Sequence, residues 1–445
     1  MSARVALLRP RARDALEFQE PLGLESLAGQ LAREGIACEI FDRELDRRLG
    51  RDTLDAVRAY GPTHVGITLM CLSEVADAQR LLVKLSDTGA ELIMGGLLVT
   101  TATARCEALF PRRVTLVRGE GETVLPRVVR GETRARVLLD EAPLAPGDWP
   151  QPLRPRLESY LSLGGVICLR ASRGCAGACL FCATPGLPPP YGIRAERPIP
   201  AVADEMALLA RRARAGGFLP VFQFVDDDFG TVERAEALCA NLNRLGVRAA
   251  FSLELRGATL AAATDQATRF AGLKAGGLCR VFLGLENLDP ATLRRWGKPL
   301  DPPAVLRAVA RLGEAGILAH VGYILWHPEI TLPALREQVR VLHANGLFSP
   351  KAALSRLMLY PGSRLCPAGV TGPLPAPLPR ACEAAWERVS AAITPLMEAW
   401  TPLAARLPDA ACRAHLTGEG ADLAALSGQL QALNNQACEV TLRCL

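Results

Sequence analysis

Cys175, Cys179 and Cys182 stand at spacing C-x3-C-x2-C within Ser172-Arg-Gly-Cys-Ala-Gly-Ala-Cys-Leu-Phe-Cys-Ala183, directly after the apolar run Val166 to Leu169. Three thiols on one glycine-relaxed loop suit a single metal centre, because thiolates select iron–sulfur clusters or zinc. A [4Fe–4S] cluster held by only three cysteines keeps one iron without a protein ligand, and an open iron can bind a substrate or cofactor. The alternative is a zinc knuckle with Cys168 or another thiol as fourth ligand.

Further polar residues recur where later apolar runs end. Phe-Gln-Phe-Val leads straight into Asp226-Asp227-Asp228. A helix cap and a solvated turn explain one of these carboxylates, not three. Glu254 and Arg256 lie two apart on a strand and share a face; they suit a ribose hydroxyl and a carboxylate respectively, or else form an ion pair inside a barrel. A fourth run ends Gly284-Leu-Glu286-Asn and a sixth ends Leu359-Tyr-Pro-Gly-Ser363. The fifth ends in Trp326-His327, which either stacks on adenine or holds substrate, or else leaves Trp326 packed on the next helix and His327 in solvent. Tyr323, inside that run, reads as packing.

The elements that must position these residues are legible as six strand–helix units. Strands are expected near Val166 to Leu169, Val221 to Val225, Ala250 to Leu255, Arg280 to Leu285, Ala319 to Leu325 and Ala353 to Leu359, with amphipathic helices between them. Six parallel units are too few to close an eight-stranded barrel. An open, partial (β/α)6 barrel over residues 164–370 is the expected shape, with its chemistry at the carboxyl ends of the strands.

Residues 1–140 alternate short apolar runs (Val5 to Leu8, Ala37 to Phe41, Val65 to Met70, Leu92 to Met94, Val114 to Val117) with helical patterns, the signature of a doubly wound, Rossmann-like parallel sheet in an α/β chain. Ligands of such sheets sit outside the carboxyl ends of the strands, here near Arg9 to Arg11, Met70 to Ser73, Gly95-Gly96 and Arg118-Gly-Glu-Gly-Glu122. Gly95 and Gly96 let backbone approach a bulky ligand; Gly119 and Gly121 permit a tight turn into the next helix. His64 precedes a strand and reads as a structural or surface residue. Residues 141–163, with prolines at 143, 146, 150, 152 and 155, read as a semi-rigid linker. Residues 371–445 read as a mostly helical extension; Cys438 and Cys444 near its end, with Cys412 upstream, either hold a soft substrate such as trivalent arsenic, supply a second metal, or are incidental thiols.

Composition narrows the class. At 445 residues the chain exceeds the roughly 250–300 at which single cores stop growing, and 49% hydrophobic residues exclude disorder. A net charge of +5, spread without a basic tract, argues against a nucleic-acid binder. The N-terminus, its apolar run broken by Arg9, reads as a first strand and not a signal peptide, and no apolar stretch reaches the roughly 18–20 residues of a membrane span. Fourteen cysteines without a secretion signal imply reduced thiols in the cytoplasm.

The cysteine loop, with Phe181 before the third thiol and Arg-Gly before the first, resembles the signature of the radical S-adenosylmethionine (radical SAM) superfamily. Residues 1–135, through Glu20-Pro-Leu-Gly, Val65-Gly-Ile-Thr, Gly95-Gly96 and the Gly119-Glu120-Gly121 turn, look like the cobalamin-binding domain found ahead of many radical SAM domains. The resemblance implies a [4Fe–4S] cluster on the three cysteines, with S-adenosylmethionine surrounded by Phe181, Asp226 and Asp227 (near its amino group), Glu254 (ribose), Arg256 (carboxylate) and Glu286. It also implies cobalamin near Met70, Cys71, Ser73, Gly95, Gly96, Gly119, Glu120 and Gly121. In such enzymes a reduced cluster splits S-adenosylmethionine into methionine and a 5′-deoxyadenosyl radical, and methylcobalamin hands a methyl group to the substrate radical. C-methylation of a small natural product or peptide intermediate, fed electrons by a flavodoxin or ferredoxin, is the expectation. The rivals are rearrangement, cyclisation or aminocarboxypropyl transfer, and a non-enzymatic metal scaffold. Two departures stand out. The loop Arg9-Pro-Arg-Ala-Arg-Asp-Ala-Leu16 lacks the family's Asp-x-His-x-x-Gly histidine, leaving Met70, Cys71 or a water for cobalt's lower face or a domain that keeps the fold without the cofactor. Trp326-His-Pro-Glu-Ile-Thr331 replaces the usual Phe-Pro-Gly-Glu-Thr.

Overall fold

A computed structural model describes residues 3–12, 18–140, 143–189, 191–263, 267–367, 369–370 and 372–445. The chain divides into two compact units. The first comprises Met1–Cys168, Gly186–Glu196 and Cys366–Gly372; the second comprises Leu169–Pro185, Arg197–Leu365 and Pro373–Leu445.

Unit one is built on a parallel sheet of β1 (Arg4–Arg9), β2 (Ala37–Asp42), β3 (His64–Thr68), β4 (Glu91–Gly95), β5 (Val114–Arg118) and β6 (Val137–Leu139), in the order β2-β1-β3-β4-β5-β6. The period-2 alternation of β1 sends Ala6 and Leu8 into one core layer with Leu81 and Met94, and Val5 and Leu7 into the opposite layer with Leu24 and Val128. Both faces are therefore covered, as a parallel sheet requires. The order reverses between β1 and β3, the switch point at which doubly wound sheets bind ligands. The short β6 extends the sheet beyond the five expected strands; three residues between charged neighbours carry too little pattern to be read. Residues 13–16 of the histidine-free loop lie outside the described residues, as do Glu141 and Ala142.

The proline-rich segment lies against helix Leu22–Arg33. Leu153 N–H donates to Glu25 O at 2.9 Å and the Arg33 guanidinium to Asp148 O at 2.7 Å. A Cβ at Gly29 would stand 2.1 Å from Gln151 O, so that approach needs glycine. Arg154, fully enclosed, donates to Glu20 Oε2 and Cys168 O, both at 2.7 Å.

Unit two follows the expected strand–helix repeat. After β7 (Ile167–Leu169) come β8 (Val221–Phe224), β9 (Ala250–Arg256), β10 (Leu278–Glu286) and β11 (Leu318–Tyr323), in the order β11-β10-β9-β8-β7. Helix starts are written in the sequence: Thr231, Asp289 and Thr331 each cap a following helix with a side-chain oxygen. The sixth position departs from expectation. Ser349 and Pro350 start a helical turn, Pro350–Ala353. Beyond this turn the chain joins the fifth segment through a single parallel bridge, Trp326 to Arg356, and the two-residue β12 (Met358–Leu359) pairs antiparallel with β13 (Leu374–Pro375). Helices Arg380–Thr417 and Ala421–Cys444 end the chain. Among the described residues no helix is long and apolar enough to cross a membrane.

Candidate active site

The cysteine loop leaves β7 and is anchored by the carboxylates that follow β8. Asp226, buried, accepts from Ala171 N–H at 3.0 Å and Ser172 Oγ at 2.5 Å. Asp227, exposed, accepts from Thr184 Oγ1 at 3.3 Å beyond the third cysteine. Asp228, buried, accepts from Gly230 N–H at 3.1 Å and lies 3.9 Å from Cys175 Sγ. The three aspartates thus hold the root, first thiol and exit of one loop. Burial pushes the Asp226 carboxyl up to about 6 despite its donors. Its carboxylate is committed to the fold, which is a different use from the amino-group contact expected of it.

The thiols fit a cluster better than one ion. Among the described residues no three His, Cys, Asp or Glu side chains form a group that would hold a metal ion. Tetrahedral zinc at about 2.3 Å from each sulfur needs sulfurs only about 3.8 Å apart. Here Cys175 and Cys179 flank Gly177, whose absent Cβ would stand 3.4 and 3.7 Å from the two sulfurs. A cubane binds each thiolate to a different iron, so its sulfurs need not converge on one ion. Cys168, the fourth ligand of the zinc alternative, is buried, and burial beside Glu20 pushes its thiol up. Gly177 N–H donates to Cys175 Sγ at 3.3 Å, while burial raises the Cys175 and Cys179 thiols.

Charged side chains gather beside these sulfurs. On β9 the burial alternates, and Ser252, Glu254 and Arg256 share the half-buried face. Arg256 Nε would stand 3.7 Å from a Cβ on Gly177. Glu286 ends β10 with φ +64°, the sole non-glycine residue in the left-handed region among the described residues. The pairing to β11 slips between Gly284 and Glu286, a bulge that re-aims the carboxylate. Glu286 Oε1 accepts from Lys298 Nζ at 2.8 Å. Lys298 and Trp296 are site neighbours that sequence reasoning misses; a Trp-Gly-Lys corner after a short helix is a faint signal. That corner grips the cysteine loop: Leu180 N–H donates to Trp296 O at 2.8 Å, and the half-buried Phe181 meets the Trp296 ring edge-on at 5.7 Å.

In unit one the carboxyl ends of the strands frame an apolar cleft of about 70 Å3, several times what one water needs. Leu7, Ile67 and Val117 line it together with Gly95, Gly96, Gly119 and Gly121. Gly96 has φ +101°, and a Cβ there would stand 2.5 Å from Leu69 O. Gly119 has φ +78° and lies under the Tyr191 ring, 2.3 Å from where its Cβ would be. Its N–H donates to Thr100 Oγ1 at 2.9 Å, and Glu120 follows half-buried at the turn. Met70 and Cys71 are exposed past β3, their N–H groups capped by Glu74, and Cys71 Sγ lies 3.1 Å from Ser73 Oγ. The cleft lies at the switch point, where doubly wound sheets bind their ligands.

The remaining expected residues lie elsewhere. Trp326 is fully enclosed, its indole N–H donating to Ala353 O at 2.7 Å, so no ring face is open to a ligand. His327 is buried too, not solvated: it packs edge-on against Trp296 at 5.1 Å with Nδ1 3.0 Å from Glu329. Burial lowers its pKa and keeps it neutral. Tyr323 is buried and donates to Gln338 at 2.6 Å. His64 is buried at the start of β3, where Nδ1 lies 2.8 Å from Thr63 Oγ1. Cys438 and Cys444 share one helix six residues apart, which turns them about 120° from each other. They make no two-thiol clamp.

Comparison with known proteins agrees with this geometry. Residues 169–337 match the Radical SAM superfamily and residues 11–129 the B12 binding domain. An uncharacterized methyltransferase of Pyrococcus horikoshii is 25% identical over 379 residues, 78% of this chain and 77% of its own. The cobalamin-dependent S-adenosylmethionine radical enzyme OxsB, solved with aqua-cobalamin and S-adenosylmethionine bound, superposes with a TM-score of 0.70 at 14% identity, over 98% of this chain and 80% of its own. The radical S-adenosylmethionine methyltransferase TsrM from Kitasatospora setae, solved with tryptophan substrate and a SAM analog, gives 0.61 at 20% identity over 78% and 72%. At these identities the solved structures speak for the fold. With a cysteine loop on a partial barrel and a glycine-lined switch point ahead of it, the chain belongs to the radical SAM enzymes that carry an N-terminal B12-binding domain.

Proposed function

We propose that the protein is a cobalamin-dependent radical SAM C-methyltransferase acting on a small-molecule or peptide substrate. The observation that carries the reading is the open set of three thiols, Cys175, Cys179 and Cys182, in a chain that also keeps the glycine-walled cleft of unit one. The methyltransferase character of the Pyrococcus horikoshii and Kitasatospora setae relatives supports it.

When bound, the cluster with S-adenosylmethionine supplies a carbon-centred radical and cobalamin supplies a methyl group. The chain's part is positioning. Asp226 and Asp228 hold the loop that presents the thiols, and Phe181, locked by Trp296, closes one side. Arg256 takes the substrate-like carboxylate of S-adenosylmethionine, Glu254 a ribose hydroxyl, and Asp227 the amino group in place of the committed Asp226. In unit one Gly95, Gly96, Gly119 and Gly121 would let cobalamin lie close to backbone, with Met70, Cys71 and Ser73 beside it to hold it. A flavodoxin or ferredoxin provides the electron.

The test is anaerobic reconstitution with iron, sulfide, cobalamin and reductant, followed by mass spectrometry of what S-adenosylmethionine becomes. Formation of 5′-deoxyadenosine together with S-adenosylhomocysteine supports methyl transfer. Methylthioadenosine as the main product would replace it with aminocarboxypropyl transfer.

A further inference from the structure

The corner Trp296-Gly297-Lys298 has no place in the expected site, yet it is built against the cysteine loop at four points. Leu180 N–H donates to Trp296 O at 2.8 Å, Phe181 meets the Trp296 ring, and Lys298 Nζ stands 5.9 Å from the Phe181 centroid. Gly297, at φ +68°, brings its backbone so close that a Cβ would stand 2.8 Å from Ala178 O. The Lys298 ammonium is held inside: its side chain is 11% exposed and that of its partner Glu286 14%. Room for the pair comes from Gly284, whose Cβ would stand 2.1 Å from Glu286 Oε1 and 2.3 Å from Lys298 Nζ. Glu286 reaches this place through a left-handed backbone, a conformation strained outside glycine. A strained residue and an enclosed cation packed against the cysteine loop point to function rather than to surface charge.

We infer that Lys298 and Glu286 form a charge lever on the metal centre: the ammonium favours the reduced cluster, which carries one more negative charge, and the Glu286 carboxylate limits that effect. The inference rests on Cys175, Cys179 and Cys182 holding a [4Fe–4S] cluster. It makes the two residues positioning and tuning residues, not catalytic ones. One electron is gained by the cluster from an external reductant, and no bond in the protein changes.

The two partners must then act in opposite directions. In the full-length, anaerobically reconstituted protein, spectroelectrochemical titration of Lys298→Met should give a more negative midpoint potential than wild type, and Glu286→Gln a more positive one. Lys298→Arg should stay near wild type. A tenfold change in the reduced-to-oxidised ratio at fixed potential corresponds to about 59 mV for one electron. If both neutral variants shift the same way, or neither shifts while iron content stays at wild-type level, the lever is refuted. A purely structural role would instead lower iron content in both. If wild-type protein itself takes up no cluster, the proposed function fails first, and independently.

Discussion

The two ligand faces of this chain are made by opposite means. In unit one the face is defined by what is missing: glycines at 96 and 119 sit at φ values of +101° and +78° where a side chain would collide with Leu69 or Tyr191. In unit two it is defined by what is present: three thiols, the aspartates that hold their loop, and the cations Arg256 and Lys298. A face made of absent side chains tolerates no addition. A face made of functional groups tolerates no removal. The same logic explains why their traces in the sequence differ in strength, since coordination chemistry dictates residue type and spacing whereas a cleft demands only smallness.

The largest expected effect removes a group. Cys179→Ser should abolish cluster uptake, read as loss of iron, acid-labile sulfide and visible absorption, while cobalamin binding by unit one persists. Simultaneous loss of both would break the separation of the two faces.

Next comes the anchor of the thiol loop. Asp226 titrates at about 6 in the fold against 3.8 for the free group, so its protonated form is favoured by the native state. Its contribution to stability is present below about pH 4 and is lost as pH rises to about 6, on the order of 3 kcal/mol in all. Asp226→Asn should flatten that dependence, measured as the difference between urea midpoints of the two proteins across about pH 4–7. Parallel curves would contradict the buried assignment.

A smaller effect adds a group. Gly96→Ala places a methyl 2.5 Å from Leu69 O. Cobalamin affinity should fall about tenfold, roughly 1.4 kcal/mol, by absorbance titration, with iron content unchanged. An unaltered affinity would mean that the cleft is not the cofactor's seat.

The smallest effect separates packing from contact. Trp326→Phe loses the indole bond to Ala353 O and should cost about 1 kcal/mol of stability, read as a lower melting temperature, with S-adenosylmethionine affinity unchanged. A loss of affinity at unchanged stability would restore Trp326 to the site.

Legibility in the sequence divides along the same line. The thiol spacing and the parallel repeats can be read because chemistry or periodicity repeats them. Glu254 and Arg256 fall on one face by simple alternation, which the burial of β9 reproduces. Three features escape. The Asp226 to Asp228 run looks like a set of ligands, yet two of its members are buried anchors, because which carboxylate faces inward depends on the turn after β8. Lys298 is invisible because its partner, Glu286, is turned toward it by a bulge that no pattern announces. The sixth strand gives way to a helical turn because Ser349-Pro350 starts one, a local signal that outweighs the apolar run behind it.

The central claim is that three thiols leave one iron open to S-adenosylmethionine. Its most direct test is the electron paramagnetic resonance spectrum of the reduced, oxygen-protected protein before and after addition of S-adenosylmethionine. The account expects the signal of a cluster with about four irons per chain, changed in shape when S-adenosylmethionine binds. A protein that binds zinc and no iron, or a cluster signal that S-adenosylmethionine leaves untouched, would contradict it.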